Sequence, residues 1–268
     1  MRFSFVIINF RTPDLTCQCL DSIFKYCHGD FEVILIDNAS GDDSLTLLKS
    51  AISDSVKLIE NSANLGFARA NNQGAALASG ELLFFLNSDT VIEDDILLPL
   101  GRFFNENREV AVSSPRLFVD GATPQLKAYG RFPKLLNLVF KNFRLKAAQE
   151  SDLNIDWVSG AALIIRRDVF KQAGGWDEKF FMYMEDTDLC WRVKEMGHKV
   201  SLCSQARIIH LGGKSIDQDR QRRKYYFKSQ NYFFYKHYGL LVLVVLIVIR
   251  WPYKIIKYFQ DSPKINGK

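Results

Sequence analysis

The chain has 268 residues and a hydrophobic content of 47%, which is enough for one large α/β domain with a packed core and excludes an intrinsically disordered protein. Its net charge of +5 is unevenly spread, because residues 220–268 carry 11 Lys/Arg against one acidic residue, or +10, which leaves −5 for the rest. A basic tail on a mildly acidic body predicts that the tail contacts an anionic surface.

The five cysteines have no Cys-x-x-Cys or zinc-type spacing, and their number is odd. We therefore expect reduced, mostly buried thiols in a reducing compartment. The first ten residues are apolar, but they are too short for a signal peptide and no small-residue cleavage site follows. We interpret them as a buried first strand and expect the catalytic part of the chain to be cytoplasmic.

Short apolar runs alternate with longer stretches of helical character along the first half of the chain. The predicted strands cover residues 3–8, 32–36, 56–60, 82–86 and 110–113. The predicted helices cover residues 14–26, 42–51, 67–78 and 93–105. Repeated βαβ units of this kind predict an α/β fold with a mainly parallel central sheet, right-handed crossovers and helices on both faces.

Polar residues directly follow the first four predicted strands. They are Asn9 and Arg11, then Asp37 and Asn38, then Asn61 and Asn64, then Asn87, Ser88 and Asp89. Open parallel sheets bind ligands in the crevice at the carboxyl ends of their strands. The repeated placement therefore predicts a binding site along one edge of the sheet.

Two acids of this set have a specific chemistry and also a structural alternative. Asp89, just beyond a strand, is suited to hold Mg²⁺ or Mn²⁺, which in turn bridges a diphosphate. Alternatively, Ser88 or Asp89 caps the next helix. Asp37 is suited to accept the imide N–H of uracil or thymine, and its alternative is again a cap, because Ser40 or Asp42 suits a helix start.

The segment NLGFARANN, residues 64–72, is a weaker candidate for anion binding. It is poor in glycine and is not a Walker loop. Gly66 would allow a ligand to approach the backbone near a helix N-terminus, and Arg69 would add positive charge.

The segment 123–149 is basic and aromatic and contains no acidic residue. Its cations are Lys127, Arg131, Lys134, Lys141, Arg144 and Lys146. We interpret it as a mobile insertion over the active site or an interfacial segment, with an ordinary solvated loop as the alternative.

The second cluster of motifs begins at residue 156 and centres on an acidic pair. A helix is predicted from about Glu185 to Gly197, with Asp188 and Arg192 placed to pair at i,i+4. Adjacent carboxylates repel each other, which raises one pKa toward the range of a general base. The alternative is that acids at this place simply favour the helix N-terminus.

Two short strands, 199–203 and 207–209, are predicted after this helix, and His210 follows the second. Its neutral imidazole is a possible metal ligand, although a lone histidine is more often structural.

Six motifs in this order resemble the GT-A fold, family 2 glycosyltransferases, especially the bacterial rhamnosyltransferase-like branch. The motifs are VIINFRTPDLTCQCLDSI, VILIDNASGDDS, NLGFARANNQG, LLFFLNSDT, WVSGAALIIRRDVFKQAGGWDEKFFMYMEDTDLCWRVKEMGHKV and HLGGKS. The resemblance implies a Rossmann-like GT-A domain that binds a nucleotide-sugar donor. It covers about residues 3–239.

The resemblance also implies roles for individual residues. Asp186 is the expected catalytic base with Glu185 beside it, and Asp89 and His210 are the expected ligands of a divalent cation. Asn87 departs from the family's DxD-type motif, which has Asp at that position. For donor binding, the resemblance points to Asn9, Arg11, Asp37, Asn87 and Ser88. The strand-end position and the 64–72 segment add the other expected donor-binding residues, which are Asn38, Asn64, Gly66, Arg69 and Asn71.

The implied reaction is an inverting displacement in which a sugar moves to a saccharide or lipid-linked saccharide acceptor in cell-surface polysaccharide synthesis. Rhamnose from dTDP-rhamnose is the preferred donor, and a hexose from a UDP-sugar is the other. The alternative is a non-enzymatic pyrimidine-nucleotide-sugar-binding protein at the membrane. Nucleic acid is not an expected partner, because a long apolar run adjoins the basic tail. A glycoside hydrolase would need opposed carboxylates, whereas Glu185 and Asp186 are adjacent.

The predicted organisation is a domain over residues 1–238, with a nucleotide-binding half at 1–115 and an acceptor and catalytic half at 116–238. Residues 239–249 form an apolar run that is shorter than the roughly 20 residues of a spanning helix. We therefore expect residues 239–268 to form an amphipathic, interfacial helix and a basic tail, anchored by Trp251, Tyr253 and Lys/Arg. This places the protein on the cytoplasmic face of the inner membrane as a peripheral or monotopic protein. A short span and a soluble core helix are the alternatives.

Overall fold

A computed structural model describes residues 1–135, 155–212 and 219–261, and of residues 219, 220 and 252–261 it describes the backbone alone. The strands are β1 (Phe3–Asn9), β2 (Phe31–Asp37), β3 (Val56–Glu60), β4 (Leu82–Asn87), β5 (Thr90–Val91), β6 (Val110–Phe118), β7 (Tyr129–Gly130), β8 (Trp157–Val158), β9 (Ala162–Arg166) and β10 (Lys199–His210). The helices are α1 (Pro13–Tyr26), α2 (Ser44–Ala51), α3 (Gly66–Leu77), α4 (Leu97–Glu106), α5 (Arg167–Gln172), α6 (Glu185–Glu195) and α7 (Asp219–Asp261). Lys141, Arg144 and Lys146 of the predicted insertion, and residues 262–268 of the tail, lie outside the described residues.

Eight strands form one sheet in the order β3-β2-β1-β4-β9-β6-β10-β5. Four of its seven strand pairs are parallel, namely β1–β2, β1–β4, β2–β3 and β6–β10. The predicted α/β class with a mainly parallel sheet is therefore confirmed. The sequence did not reveal that β9 lies antiparallel between β4 and β6.

The strands are apolar on both sides because helices cover both faces of the sheet. Phe5 and Ile7 of β1 pack into one core with residues of α1, α2 and α4. Val6, between them in the chain, points to the second core, which includes residues of α3, α5 and α6. The alternation of the side chains along each strand places successive apolar residues in opposite cores.

Two details of the predicted elements are wrong. Residues 199–203 and 207–209 belong to the single strand β10, which carries a register shift between Cys203 and Arg207. The exposed polar residues Ser204 and Gln205 at this irregularity interrupt the apolar pattern and make one strand resemble two. Ser88 and Asp89 do not cap a helix, because β5 follows them and the next helix, α4, begins only at Leu97.

The cysteines and the helical ion pair match their predictions. All five thiols are free, and four of them are buried. Asp188 and Arg192 on α6 form the expected i,i+4 pair, with Arg192 Nε at 2.8 Å from the carboxylate.

Helix α7 is broken at Gly239 (φ 84°, ψ 175°), so that it consists of two arms, residues 219–238 and 240–261, which we call the tail hairpin. The second arm folds back on the first, because Leu246 packs with Phe233 and Phe234. Arg250 Nη1 also donates to Gln230 Oε1 at 2.8 Å. By length and composition, Gln221–Trp251 would suffice to cross a membrane, which is weak evidence for a span in a segment that contains this break.

The amino-terminal side of the sheet is held by a buried carboxylate on β2. Glu32 accepts hydrogen bonds from Ser4 Oγ (2.6 Å), Lys57 Nζ (2.7 Å) and Ser79 N (2.7 Å), which lie on β1, on β3 and just before β4. Burial by itself would raise the pKa of Glu32, but these hydrogen bonds outweigh it and lower the pKa to about 2. The carboxylate thus ties four successive strands together while it stays ionised.

We expect Glu32→Gln to lower the free energy of unfolding by about 2 kcal/mol at pH 7, because buried donors lose a charged acceptor. Since the folded pKa is depressed, the stabilisation is complete above the unfolded pKa of about 4.3 and is lost as the pH falls toward 2. Urea denaturation at several pH values between 7 and 2 should show the two proteins converging in acid. Glu60→Gln, at a half-exposed position on β3, is the matched control; a Glu32→Gln offset that stayed constant with pH would contradict the assignment.

Candidate active site

The carboxyl ends of β1 and β2 are joined by a buried polar cluster. Asn9 Nδ2 donates to Asp37 Oδ1 at 2.7 Å and to Ser40 Oγ at 3.0 Å. Ser40 Oγ in turn donates to the same carboxylate oxygen at 2.6 Å. Arg11 lies over this turn, because its backbone N–H donates to Ser40 Oγ and its Nε donates to Ser40 O. Asn9, Arg11 and Asp37 are therefore in one place, as expected from the sequence.

A second polar cluster lies beside the first, at the ends of β2 and β3. Asn38 Nδ2 donates to Asn64 Oδ1 at 3.0 Å, and Asn38 Oδ1 accepts from Asn61 Nδ2 and from the backbone N–H of Leu65. Asn64 Oδ1 also accepts from the backbone N–H of Gly66 at 2.9 Å. These contacts fix the loop that leads into α3. Asn38, Asn64 and Gly66 thus extend the same edge.

Gly66 brings this edge into contact with the segment before α6. The backbone N–H of Phe67 donates to Phe181 O at 2.9 Å. A Cβ at Gly66 would lie 2.6 Å from that oxygen, and the φ of Gly66 is +77°. Only glycine fits both the space and the backbone conformation. The glycine is therefore needed for the close approach of two chain segments.

Glu185 and Asp186 begin α6 at this edge. Asp186 Oδ2 accepts from the backbone N–H of Gly160 at 3.0 Å, and Oδ1 accepts from that of Thr187 at 2.7 Å. Burial raises the pKa of Asp186. Burial, followed by the neighbouring charge of Asp186, raises the pKa of Glu185 well above its usual range, and Glu185 Oε2 has no hydrogen-bond partner. Both acids lie at a helix N-terminus, which agrees with the alternative that they only stabilise the start of the helix. That alternative does not explain why a buried oxygen of Glu185 has no hydrogen-bond partner.

Asn87, Ser88 and Asp89 lie at the end of β4, beside the acidic pair. The backbone N–H of Asn87 donates to Ala161 O at 2.9 Å, next to Gly160. Ser88 Oγ lies 3.3 Å from Thr12 Oγ1, which links this turn to the end of β1. Asp89 Oδ1 lies 3.3 Å from His210 Nε2, the imidazole at the end of β10.

Asp89 and His210 fit two adjacent positions around a divalent cation. Neighbouring oxygen ligands of an octahedral Mg²⁺ are about 3 Å apart, which agrees with the separation of these two side chains. Among the described residues, no third His, Cys, Asp or Glu joins them. Such a cation commonly takes one or two protein carboxylates and completes its shell with water and substrate phosphates, so this small set suits it.

Backbone strain is concentrated along the same edge. In the described part of the chain, four residues other than glycine have positive φ: Arg11 (58°), Ala39 (60°), Tyr183 (71°) and Met184 (69°). Arg11 lies two residues after Asn9, and Ala39 directly follows Asn38. The other two directly precede Glu185. Strained backbone is retained where the surrounding structure imposes it, and it clusters at functional sites. This independent feature marks the same residues as the motifs.

Two residues of the expected donor-binding set are not in these clusters. Arg69 is exposed and lies 3.8 Å from Glu178. Asn71 is buried within α3, and its Nδ2 has no hydrogen-bond partner. Four further residues of the site were not expected from the sequence, namely Thr12, Ser40, Gly160 and Gln125. The amide oxygen of Gln125 lies 2.9 Å from His210 Nδ1. Ser40 and Gly160 stand within the quoted motifs, but nothing in the sequence singles out Gln125.

Comparison with known proteins identifies relatives of this architecture. The family model described as "Glycosyl transferase family 2" matches residues 4–174. The Escherichia coli K12 protein named Rhamnosyltransferase WbbL is 28% identical over 217 residues, which are 70% of this chain and 81% of WbbL.

Two solved structures share the fold. The mannosyltransferase PcManGT from Pyrobaculum calidifontis, in complex with GDP-Man and Mn²⁺, has a TM-score of 0.63 at 13% identity, over 97% of this chain and 79% of its own. S. aureus TarS 1-349 in complex with UDP-GlcNAc has a TM-score of 0.62 at 17% identity, over 99% of this chain and 77% of its own. At these identities the likeness establishes the fold alone. It is the GT-A fold, as expected from the sequence.

The raised pKa of Glu185 predicts a characteristic dependence of stability on pH. Because the folded state binds the proton more tightly than the unfolded state, wild-type stability should fall as the pH rises above the unfolded glutamate pKa of about 4.3. Glu185→Gln removes this group, so we expect it to be as stable as wild type near pH 4 and more stable at pH 8. Chemical denaturation over this range measures the effect, and the exposed Glu106→Gln should follow wild type. Equal pH slopes for Glu185→Gln and wild type would contradict the prediction.

Proposed function

The chain belongs to glycosyl transferase family 2, and from this we propose that it transfers a sugar from a nucleotide-sugar donor to an acceptor hydroxyl with inversion at the anomeric carbon. The proposed donor is dTDP-rhamnose, and a UDP-hexose is the second candidate. The proposed acceptor is a saccharide or a lipid-linked saccharide in cell-surface polysaccharide synthesis. The similarity to a protein named rhamnosyltransferase supports the first donor, and the fold shared with a UDP-GlcNAc complex supports the second.

The observation that carries this proposal is the position of Asp186. Its carboxylate is held by the N–H groups of Gly160 and Thr187 at the same sheet edge as the clusters of Asp37 and Asp89. Burial raises the pKa of Asp186, which makes its carboxylate a better proton acceptor. A base for the acceptor and two acids suited to the two ends of a nucleotide diphosphate are thus present at one edge.

The reaction is a single displacement. Asp186 takes the proton of the acceptor hydroxyl, whose oxygen forms a bond to the anomeric carbon. The bond from that carbon to the diphosphate oxygen breaks, and the nucleoside diphosphate leaves with the electron pair. Glu185, buried beside the base and biased toward its neutral form, avoids placing a second negative charge there.

The remaining residues of the edge bind the donor in this proposal. Asp37, fixed by Asn9 and Ser40, accepts the imide N–H of uracil or thymine, and Asn38 and Asn64 shape the loop beside it. Asn87 and Ser88 lie toward the diphosphate. Asp89 and His210 would hold Mg²⁺ or Mn²⁺, and the bound cation would offset the negative charge that develops on the departing diphosphate. Two predicted contacts to the nucleotide sugar stay predictions. Arg69 is paired with Glu178, and Asn71 Nδ2 has no hydrogen-bond partner.

The tail hairpin supports an association with the membrane, and we propose the cytoplasmic face as its place. Its second arm turns apolar side chains outward, with exposed fractions of 83% for Leu241, 49% for Val244 and 65% for Val248. Of the basic residues of the first arm, the exposed Lys224 and Lys228 would meet anionic lipid. We propose a monotopic association, because Arg250 is bound within the hairpin and Gly239 prevents one straight helix.

Asp186→Asn should abolish transfer while donor binding remains. Loss of a general base lowers turnover by about 10²–10⁴-fold, whereas an amide of the same size preserves the fold. Donor affinity measured by calorimetry and product release measured over a panel of dTDP- and UDP-sugars separate the two effects. Asp168→Asn, at an exposed aspartate in the first turn of α5, is the matched control. Normal turnover by Asp186→Asn would remove Asp186 from the role of base, and no transfer by wild type from any donor would favour a binding protein.

The exposed face of the second arm should be required for binding to lipid. We expect the double variant Leu241→Glu, Val248→Glu to lose at least about tenfold in affinity for vesicles that contain anionic lipid, because each charge would have to enter an apolar region. Co-sedimentation with vesicles measures this. Leu98→Glu, at a leucine that is 55% exposed on α4, controls for added charge. Unchanged sedimentation of the double variant would contradict the proposed contact face, and resistance of wild type to carbonate extraction would favour a span.

A further inference from the structure

His210 is held beside Asp89 by the backbone of the sheet edge. Its residue pairs with Thr90 in the antiparallel ladder between β10 and β5. The backbone N–H of Leu211 donates to Asp89 O at 2.9 Å. These contacts fix the position of the imidazole, but they do not determine the rotation of its ring or which nitrogen carries hydrogen.

Gln125 reaches the opposite side of that ring from a tight turn after β6. Asp120 Oδ1 accepts from the backbone N–H groups of Ala122 and Thr123, which closes the turn. The backbone N–H of Gln125 then donates to Leu117 O at 2.8 Å. This pairing aligns Gln125 with β6, the neighbour of β10, and its Oε1 lies 2.9 Å from His210 Nδ1.

The chemistry of this contact assigns the hydrogens of the ring. An amide oxygen only accepts hydrogen bonds, so with Oε1 of Gln125 facing the ring the hydrogen is on Nδ1. In the neutral imidazole, the lone pair is then on Nε2, which faces Asp89 Oδ1 at 3.3 Å. Two lone-pair donors at this distance attract only an electrophile between them, which is a proton or a metal ion.

We propose that Gln125 is a positioning residue that holds His210 in the tautomer with hydrogen on Nδ1, so that Nε2 and Asp89 together bind a divalent cation. The inference rests on the cation site of the proposed function and adds a residue to it. Metal-binding histidines usually donate their other ring N–H to an oxygen acceptor, which orients the ring and raises its basicity. Gln125 supplies that oxygen without adding a charge to the site.

A merely structural role for Gln125 has a different consequence. A single neutral hydrogen bond at a half-buried turn contributes about 1 kcal/mol to stability and would leave metal affinity unchanged. The positioning role predicts that loss of the amide oxygen weakens cation binding by about 10–100-fold, although the protein stays folded and Asp89 and His210 are unchanged. Metal affinity and the tautomer therefore separate the two roles.

The test uses the full-length protein, UDP and Mn²⁺, without turnover. Mn²⁺ affinity in the presence of UDP is measured by electron paramagnetic resonance for wild type, Gln125→Leu and Gln125→Met, which lack the oxygen, and Gln125→Glu, which keeps one. We expect about 10–100-fold weaker binding by the first two and binding within about threefold of wild type, or tighter, by Gln125→Glu. Leu126→Ala, at an exposed neighbour in the same turn, is the matched control and should bind as wild type.

Nitrogen-15 NMR of the imidazoles supplies a readout that is independent of metal and activity. The chain has four histidines, so the His210 signals are identified by their loss in His210→Asn. Wild type should show hydrogen on Nδ1 of His210, and Gln125→Leu should shift the ring toward the other tautomer. Thermal unfolding establishes which variants are folded, and Gln125→Met replaces Gln125→Leu if the latter is not.

Three results would overturn the inference. The first is equal Mn²⁺ affinity for wild type and both oxygen-free variants. The second is a wild-type ring with hydrogen on Nε2 alone. The third is the absence of Mn²⁺ binding by wild type in the presence of UDP and also in the presence of dTDP, the diphosphate of the preferred donor, which would also remove the proposed cation. Transfer itself is tested separately by Asp186→Asn, so a failure of this inference is distinguishable from a failure of the proposed reaction.

Discussion

The close backbone contact between Gly66 and Phe181 joins the two halves of the candidate active site. One strand-end loop, fixed by Asn38 and Asn64, meets there the segment that leads into α6. With a side chain at Gly66 the two segments would have to separate, because its Cβ would lie 2.6 Å from Phe181 O. Asp186 would then move away from the clusters of Asp37 and Asp89. The geometry that brings Asp186, the proposed base, to the proposed nucleotide-binding edge thus depends on the absence of one side chain.

The segment 180–184 is held from its other side by the tail hairpin. Ser229 Oγ donates to Met182 O at 2.7 Å, and the ring of Tyr225 stacks on that of Phe181. One turn into α6, the fully buried Asp188 accepts from His237 Nε2 at 2.8 Å and lies 2.7 Å from Lys236 Nζ. Burial by itself would raise the pKa of Asp188, but the hydrogen bond from His237 and the charges of Arg192 and Lys236 lower it. The hairpin's first arm is therefore packed against α6 and the segment that precedes it.

Sequence patterns predicted the features that depend only on residues close to one another in the chain. Apolar runs marked the strands of the first half, and the polar residues after them marked the edge where Asn9, Asp37 and Asp89 come together. Strand order was not accessible in this way, because β9 inserts between β4 and β6 through pairing of residues far apart in the chain. The same holds for Gln125, which lies 85 residues from His210. The positive φ of Tyr183 and Met184 is imposed by the surrounding structure. Tyrosine and methionine rarely adopt this conformation, so nothing in the sequence predicts it.

The fold-back of the tail hairpin changes what its apolar sequence means. A run such as 239–249 reads as a membrane segment or a core helix when only its composition is known. In the structure, Leu246 is buried against Phe233 and Phe234 while Leu241 and Val248 face outward, so the same arm has a packed face and an exposed apolar face. Because the first arm is fastened to α6 through Asp188, a lipid surface bound by the second arm would have a fixed orientation to Asp186. In the proposed function, an acceptor carried on a lipid would then be presented to the base by geometry, since the anchor and the catalytic helix form one packed unit.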